Sequence, residues 1–267
     1  MNEALEGTPD KPPLTREALR DVNEIALWAG AMMMANGAET DRVEETVHRI
    51  GTGLGANWLD ILVSPNAVVV TSSSGDEFRT RLRRVPVLSV NMRILDQVNT
   101  LSRQITTDKM ERSAARGELL RISQLPHYNP YLVAAMVGLA CAAFARLFGG
   151  SIADMAIAFV GAGVAQFVRQ LHIRQHFNIF LIGVVTSLVA SSIALAPVRL
   201  GLTTSHIAFL SSVLLLIPGV HLVNAAEDLL KGHLVTGFVR GMLGGLLTGC
   251  IALGMLIAMW LLQLPVI

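Results

Sequence analysis

Charge is what this sequence lacks, and it lacks it in one half only. Asp, Glu, Lys and Arg together make up 15% of the 267 residues, against roughly 25% in a soluble domain. Residues 1–125 hold 15 of the 21 Lys and Arg and 17 of the 20 Asp and Glu, so the other 142 residues share 9 charges. That division predicts two solvents for one chain, water first and lipid second. Cysteine is scarce as well: Cys141 and Cys250 both lie in apolar stretches, which argues against a disulfide framework or a thiolate metal site. A net charge of +1 without a dense basic block argues against nucleic acid as a partner. The first six residues, Met-Asn-Glu-Ala-Leu-Glu, lack the basic and apolar regions of a signal peptide, so insertion is expected to be directed by the later apolar segments.

Catalytic signatures are missing too. There is no Gly-rich phosphate loop, no G-x-S-x-G and no H-E-x-x-H. Glu44 and His48 stand four apart, as do His172 and His176, but two ligands are too few for a metal site. The reading is therefore a non-enzyme with no catalytic residues, no metal and no cofactor.

What is present after residue 125 is a series of apolar runs bracketed by arginines. A bilayer core about 30 Å thick needs about 20 apolar residues per helix. Runs at about 130–148, 152–168, 177–196, 205–223 and 241–263 meet that length or approach it. The second is the shortest, and four spans result if it lies in the interface or re-enters. Arg112, Arg116 and Arg121 precede the first run, Arg169 and Arg174 separate the second from the third, and Lys231 and Arg240 lie before the fifth. The other loops carry Arg146 and Arg199. The heavier side is expected to be cytoplasmic, with the N-terminal domain inside and the C-terminus outside.

Two features of this half exceed what an anchor needs. Gly237, Gly241, Gly245 and Gly249 recur every four residues, a stripe that lets another helix approach closely, either within the chain or from a partner. Pro218-Gly219 interrupts the fourth run, as a simple kink or as the kind of broken helix that transporters place at a substrate path. Asn224, Glu227, Asp228, Lys231, His233 and Arg240 follow within a short distance. Asn224 and Asp228 share a helix face. Asp228 can serve as a proton- or cation-linked carboxylate, or pair with Lys231 in a solvated loop.

Residues 1–14 are expected to be a flexible tail and 15–125 a small α+β domain, followed by a transmembrane domain over 126–267. Val22, Ile25, Ala26, Ala29, Met32 and Met33 give a helical face that ends at Asn36-Gly37. Thr40 is placed to cap a second helix with Asp41, Glu44 and Glu45 in its first turns. Residues 61–63, 67–71 and 78–82 read as strands, 72–75 as a turn, 85–90 as a further strand, and about 92–104 and 107–123 as helices. Arg79, Arg81, Arg83 and Arg84 could bind anions or simply decorate a solvated strand.

Several stretches together resemble the threonine/serine exporter family, in its short, split-subunit, YjjP-like branch. They are Asn36-Gly37-Ala38-Glu39-Thr40, residues 64–71, 136–141 and 167–171, and Leu216-Ile217-Pro218-Gly219 through Asn224, Asp228, Lys231-Gly232-His233, Gly237 and Arg240. The resemblance spans about residues 15–265. It implies a bacterial inner-membrane exporter with a cytoplasmic N-terminal domain, and an oligomer that works with a second small membrane subunit. It further implies a small carboxylate-bearing substrate, threonine and serine or a dicarboxylate such as succinate, and use of the proton gradient. On this reading membrane lipid is a partner and Asn224, Asp228, Arg240 and Glu39 are the candidate substrate-binding or coupling residues. The alternative is a membrane-anchored sensor with a ligand-binding soluble domain.

Overall fold

Local capping chemistry sets the first elements. In the computed structural model, which describes residues 12–85, 90–126, 128–201 and 206–263, helix α1 runs Arg16–Ala35 with the Thr15 side chain accepting from the Ala18 N–H. It stops at Asn36, and Gly37 follows at φ 94°, a left-handed conformation that glycine adopts without steric cost. Helix α2 is Thr40–Gly53. Its N-cap is Glu39, which makes no side-chain capping bond. Thr40, expected to be the cap, is instead the first helical residue.

Three antiparallel strands follow in the order β1 (Trp58–Ser64), β2 (Ala67–Ser74) and β3 (Glu77–Arg84). The register pairs Val63 with Val68 and Leu59 with Ser72, then Val70 with Arg81 and Ser74 with Glu77. Residues 72–74, read from the sequence as a turn, continue β2, and Ser72 and Ser74 alternate inward with Val68 and Val70. Serine carries no apolar signal, so period-two burial in this stretch cannot be seen from side-chain type. The turn falls on Gly75-Asp76, where Gly75 has φ 56°. Of the further strand expected at 85–90, residues 86–89 lie outside the described residues.

Helices α3 (Met92–Thr107) and α4 (Arg112–Ser123) close this part. Leu19, Val22, Ile25 and Met33 of α1 are buried with Val43, Val47 and Ile50 of α2 and Val68 and Val70 of β2. Val98, Leu101 and Ile105 of α3 and Leu119 and Ile122 of α4 complete the core. Each such side chain gains about 1.5–3 kcal/mol on full burial. Asn23, itself fully buried, donates to the carbonyls of Val70 (3.3 Å) and Arg79 (2.8 Å), pinning α1 to two strands.

The second part is helical. Helix α5 is Pro130–Leu147, with Asn129 capping and proline at its first position, where the missing N–H costs nothing. Helix α6 is Ile152–Arg174, opened by a capping box in which Ser151 and Asp154 exchange bonds. That box accounts for the one acid at the start of this span. Helix α6 extends past the short apolar run, for 23 residues. Helix α7 is Ile179–Arg199. The fourth apolar run is broken into α8 (Ile207–Val213), a 3-10 turn over Leu214–Leu216, and α9 (Gly219–Leu230) after Pro218. Helix α10 is Leu234–Leu261, seven residues earlier at its start than the fifth run. Among the described residues, four helices are long and apolar enough to cross a membrane, and a fifth span results if the broken α8–α9 pair counts as one.

Small residues let these helices approach closely. A Cβ on Gly138 of α5 would stand 2.7 Å from the Phe159 carbonyl of α6, and one on Gly254 of α10 would stand 2.0 Å from Ser187 Oγ and 2.3 Å from the Val184 carbonyl of α7. Such contact brings in dispersion that lipid would otherwise supply.

Contacts divide the chain into two compact units, 1–126 with 220–241, and 127–219 with 242–267. Composition alone predicts a single boundary, at 125/126. The first unit also takes in α9 from Val220 onward and the first eight residues of α10.

Candidate functional site

The added segment places the candidate residues of α9 and α10 against the turn between α1 and α2. That turn exposes backbone groups which no helix satisfies. Asn224 Nδ2 donates to the Gly37 carbonyl at 2.8 Å. Arg240 Nη2 donates to the Ala38 carbonyl at 2.8 Å and reaches Met34 Sδ at 3.1 Å. Asp228 Oδ1 accepts from the Thr40 N–H at 3.0 Å, so a carboxylate 188 residues away does the capping that Glu39 and the Thr40 hydroxyl do not. Negative charge at a helix N-terminus is favoured by the helix dipole.

Asp228 Oδ2 accepts from Arg240 Nη1 at 2.6 Å. Both side chains are deeply buried, with 0% and 6% exposed. An ion pair in so dry a place is retained only when its remaining donors and acceptors are matched, and here the second carboxylate oxygen and the second guanidinium nitrogen both have partners. The alternative of Asp228 pairing with Lys231 in a solvated loop is overturned: the loop lysine contacts other acids.

Those acids form a second layer, closer to solvent. Lys231 Nζ lies 2.9 Å from Glu39, 2.9 Å from Glu227 and 3.3 Å from Asp41. His233 Nε2 is 2.5 Å from Asp41 Oδ1. Glu227 beside it, and then burial, push the Glu39 carboxyl above the usual carboxylate range. The hydrogen bond from His233 holds Asp41 below that range despite burial. Burial raises Glu44. Glu227 and Glu39 hold the Lys231 ammonium above its ordinary value.

The four residues singled out as binding or coupling groups, Asn224, Asp228, Arg240 and Glu39, therefore meet around one turn. Asp41, Glu44 and His233 join them without having been singled out. His233 stands in one of the stretches that carry the family resemblance, and Asp41 and Glu44 follow directly on another, residues 36–40; that nearness is the signal that would have found them. A cleft of about 1000 Å³ in the same unit is lined by Thr52, Thr106, Lys109, Arg112 and Arg116 among others, and by none of these residues.

The glycine stripe divides. A Cβ on Gly237 would stand 2.8 Å from Leu229 Cγ and 2.9 Å from the Ala225 carbonyl; on Gly241 it would make ordinary contact with Ala225 at 3.6 Å. Gly245 and Gly249 have nothing within 4 Å. Gly254, outside the stripe, makes the tightest approach of α10.

Several long apolar helices after a small α+β domain define a multi-pass helical membrane protein. Residues 24–262 match the family described as "Putative threonine/serine exporter", and the chain belongs to that family. It is 30% identical over 248 residues to the "Probable succinate transporter subunit YjjP" of Escherichia coli, covering 91% of this chain and 96% of the relative. The like-named protein of Klebsiella aerogenes is 31% identical over 245 residues, 90% of this chain and 95% of that one. The "Threonine/serine exporter" of Corynebacterium glutamicum is 24% identical over 275 residues, 94% of this chain but 55% of the relative. No solved structure matches the chain.

Proposed function

We propose that this chain is one subunit of an inner-membrane exporter of small carboxylate-bearing metabolites, coupled to the proton gradient. The N-terminal α+β domain faces the cytoplasm. Arginines and a lysine at 112, 116, 121, 169, 174, 231 and 240 against two at 146 and 199 support that orientation. A second small membrane subunit completes the transporter. Two relatives of matching length are named as subunits of a succinate transporter, and the chain spans only 55% of a threonine/serine exporter. The open faces of Gly245 and Gly249 suit a helix of that partner.

The observation that carries the reading is the Asp228–Arg240 pair. Both Asp228 oxygens and both terminal nitrogens of Arg240 have partners, so on this reading a substrate carboxylate reaches those nitrogens by taking the place of Asp228. A proton on Asp228 removes the competing charge. Proton binding and substrate binding then favour each other, the thermodynamic form of coupling. Asn224 would orient the substrate, and Glu39 would link the exchange to the Lys231 cluster.

Efflux from loaded cells tests this, with succinate and threonine as separate substrates and the second subunit co-expressed. Asp228→Asn and Arg240→Lys, at matched membrane abundance, should reduce export at least tenfold. Wild-type export by both would remove the proposed roles. The membrane-anchored sensor reading predicts unchanged efflux when the gene is deleted.

A further inference from the structure

The layer around Lys231 carries more negative charge than the fold's own cations match. Among the described residues, Glu39, Asp41, Glu227 and Asp228 form ion pairs there with Lys231 and Arg240, Asp41 also with the His233 imidazole, and Glu44 stands beside them. Lys231 is engaged by Glu39, Glu227 and Asp41 Oδ2, and Arg240 by Asp228. Glu44 is half-buried and faces neither cation closely enough for an ion pair among the described residues. Asp41 and Glu44, three apart at the start of α2, share a helix face. His233 enters from the α9–α10 turn, its backbone fixed by a 2.8 Å bond from its N–H to the Asp228 carbonyl. One ligand atom from each of Asp41, Glu44 and His233 lies within 4.8 Å of the others.

We propose that Asp41, Glu44 and His233 form a divalent-cation site of the zinc type, one ion per chain. An imidazole nitrogen with two carboxylates is a donor set for borderline metals rather than for calcium or magnesium. Bonds of about 2.0–2.2 Å hold donors about 3.4 Å apart, so His233 Nε2 and Asp41 Oδ1, now 2.5 Å apart, would part by roughly 1 Å as the Glu44 side chain turns in to close the set. His233 is 24% exposed, which leaves water to fill the remaining positions. The ion takes the place of the hydrogen that bridges His233 Nε2 and Asp41 Oδ1, and it supplies the positive charge that Glu44 lacks. It would join α2 to the α9–α10 turn beside the buried pair. The site does not depend on what the exporter carries.

The test uses the full chain purified in detergent and stripped with a chelator. Titration with zinc chloride by calorimetry, and with cobalt(II) by its d–d absorption, should give one ion per chain with micromolar or tighter affinity and a rise in Tm. His233→Ala and Glu44→Gln should each weaken binding at least tenfold, whereas Glu45→Gln, on the exposed side of α2, should bind as wild type. Glu44→Gln keeps the side-chain shape and decides the matter if His233→Ala does not fold. Absence of binding by the wild-type chain, or equal binding by Glu44→Gln, overturns the proposal, whatever the efflux assays show.

Discussion

Arg240 spends its guanidinium on three acceptors contributed by three different segments: Asp228, Ala38 and Met34. Truncating it would leave the Asp228 carboxylate buried without its cation, which costs about 3–5 kcal/mol in comparable buried pairs. Arg240→Ala should therefore lower thermal stability in detergent sharply, as followed by light-scattering or fluorescence melts. Replacing both partners, Asp228→Leu with Arg240→Met, removes the unpaired charge and should lose less stability than Arg240→Ala alone. Equal or greater loss in the double variant would mean that the pair contributes net stability. Asp228→Asn should lose stability too, because Arg240 is left buried without its anion and the amide NH2 faces either Arg240 or the Thr40 N–H, both donors.

At the scale of elements, α10 does two jobs along its length. Its first turns belong with the α+β core, and from Met242 it packs among the apolar helices. The tight approach at Gly254 sets how near α10 comes to α7, since the obstacle to a side chain is the Val184 backbone at 2.3 Å. Gly254→Ala should destabilise the protein by about 1–3 kcal/mol through overpacking, measured by detergent melts. Gly249→Ala, with open space around it, should be neutral in the isolated chain. If co-expression with the second subunit makes Gly249→Ala or Gly249→Leu deleterious, that face seats the partner.

The whole molecule is organised by the return of residues 220–241 to the N-terminal unit. A fragment of residues 1–126 would lack Asp228, Asn224 and Arg240, leaving the start of α2 without its cap and the Gly37 and Ala38 carbonyls without their donors. Loss of one helix cap costs about 1 kcal/mol, and the local effect is larger because several partners leave together. Hydrogen–deuterium exchange should show the Thr40 amide protected in the full chain and open in the fragment. Equal protection in both would mean that the turn is held by α1 and α2 alone.

Composition and periodicity by themselves determined the partition into a charged domain and an apolar half, the helical character of the spans, the first two helices and most of the strands. Those properties are local: side chains three or four apart on a helix, two apart on a strand, or a long run without charge. Where local signal was weak, the limits moved, as at Ser72–Ser74, whose side chains do not announce which face they occupy. Asn224, Asp228, Arg240 and Glu39 stood out by chemistry and motif, but not their arrangement. Only the tertiary structure decided that Asp228 caps α2, that Arg240 rather than Lys231 is its partner, and that His233 meets Asp41 across 192 residues. The physical reason is that a buried charge is stable only beside a matching group, and which group that is depends on the path of the chain.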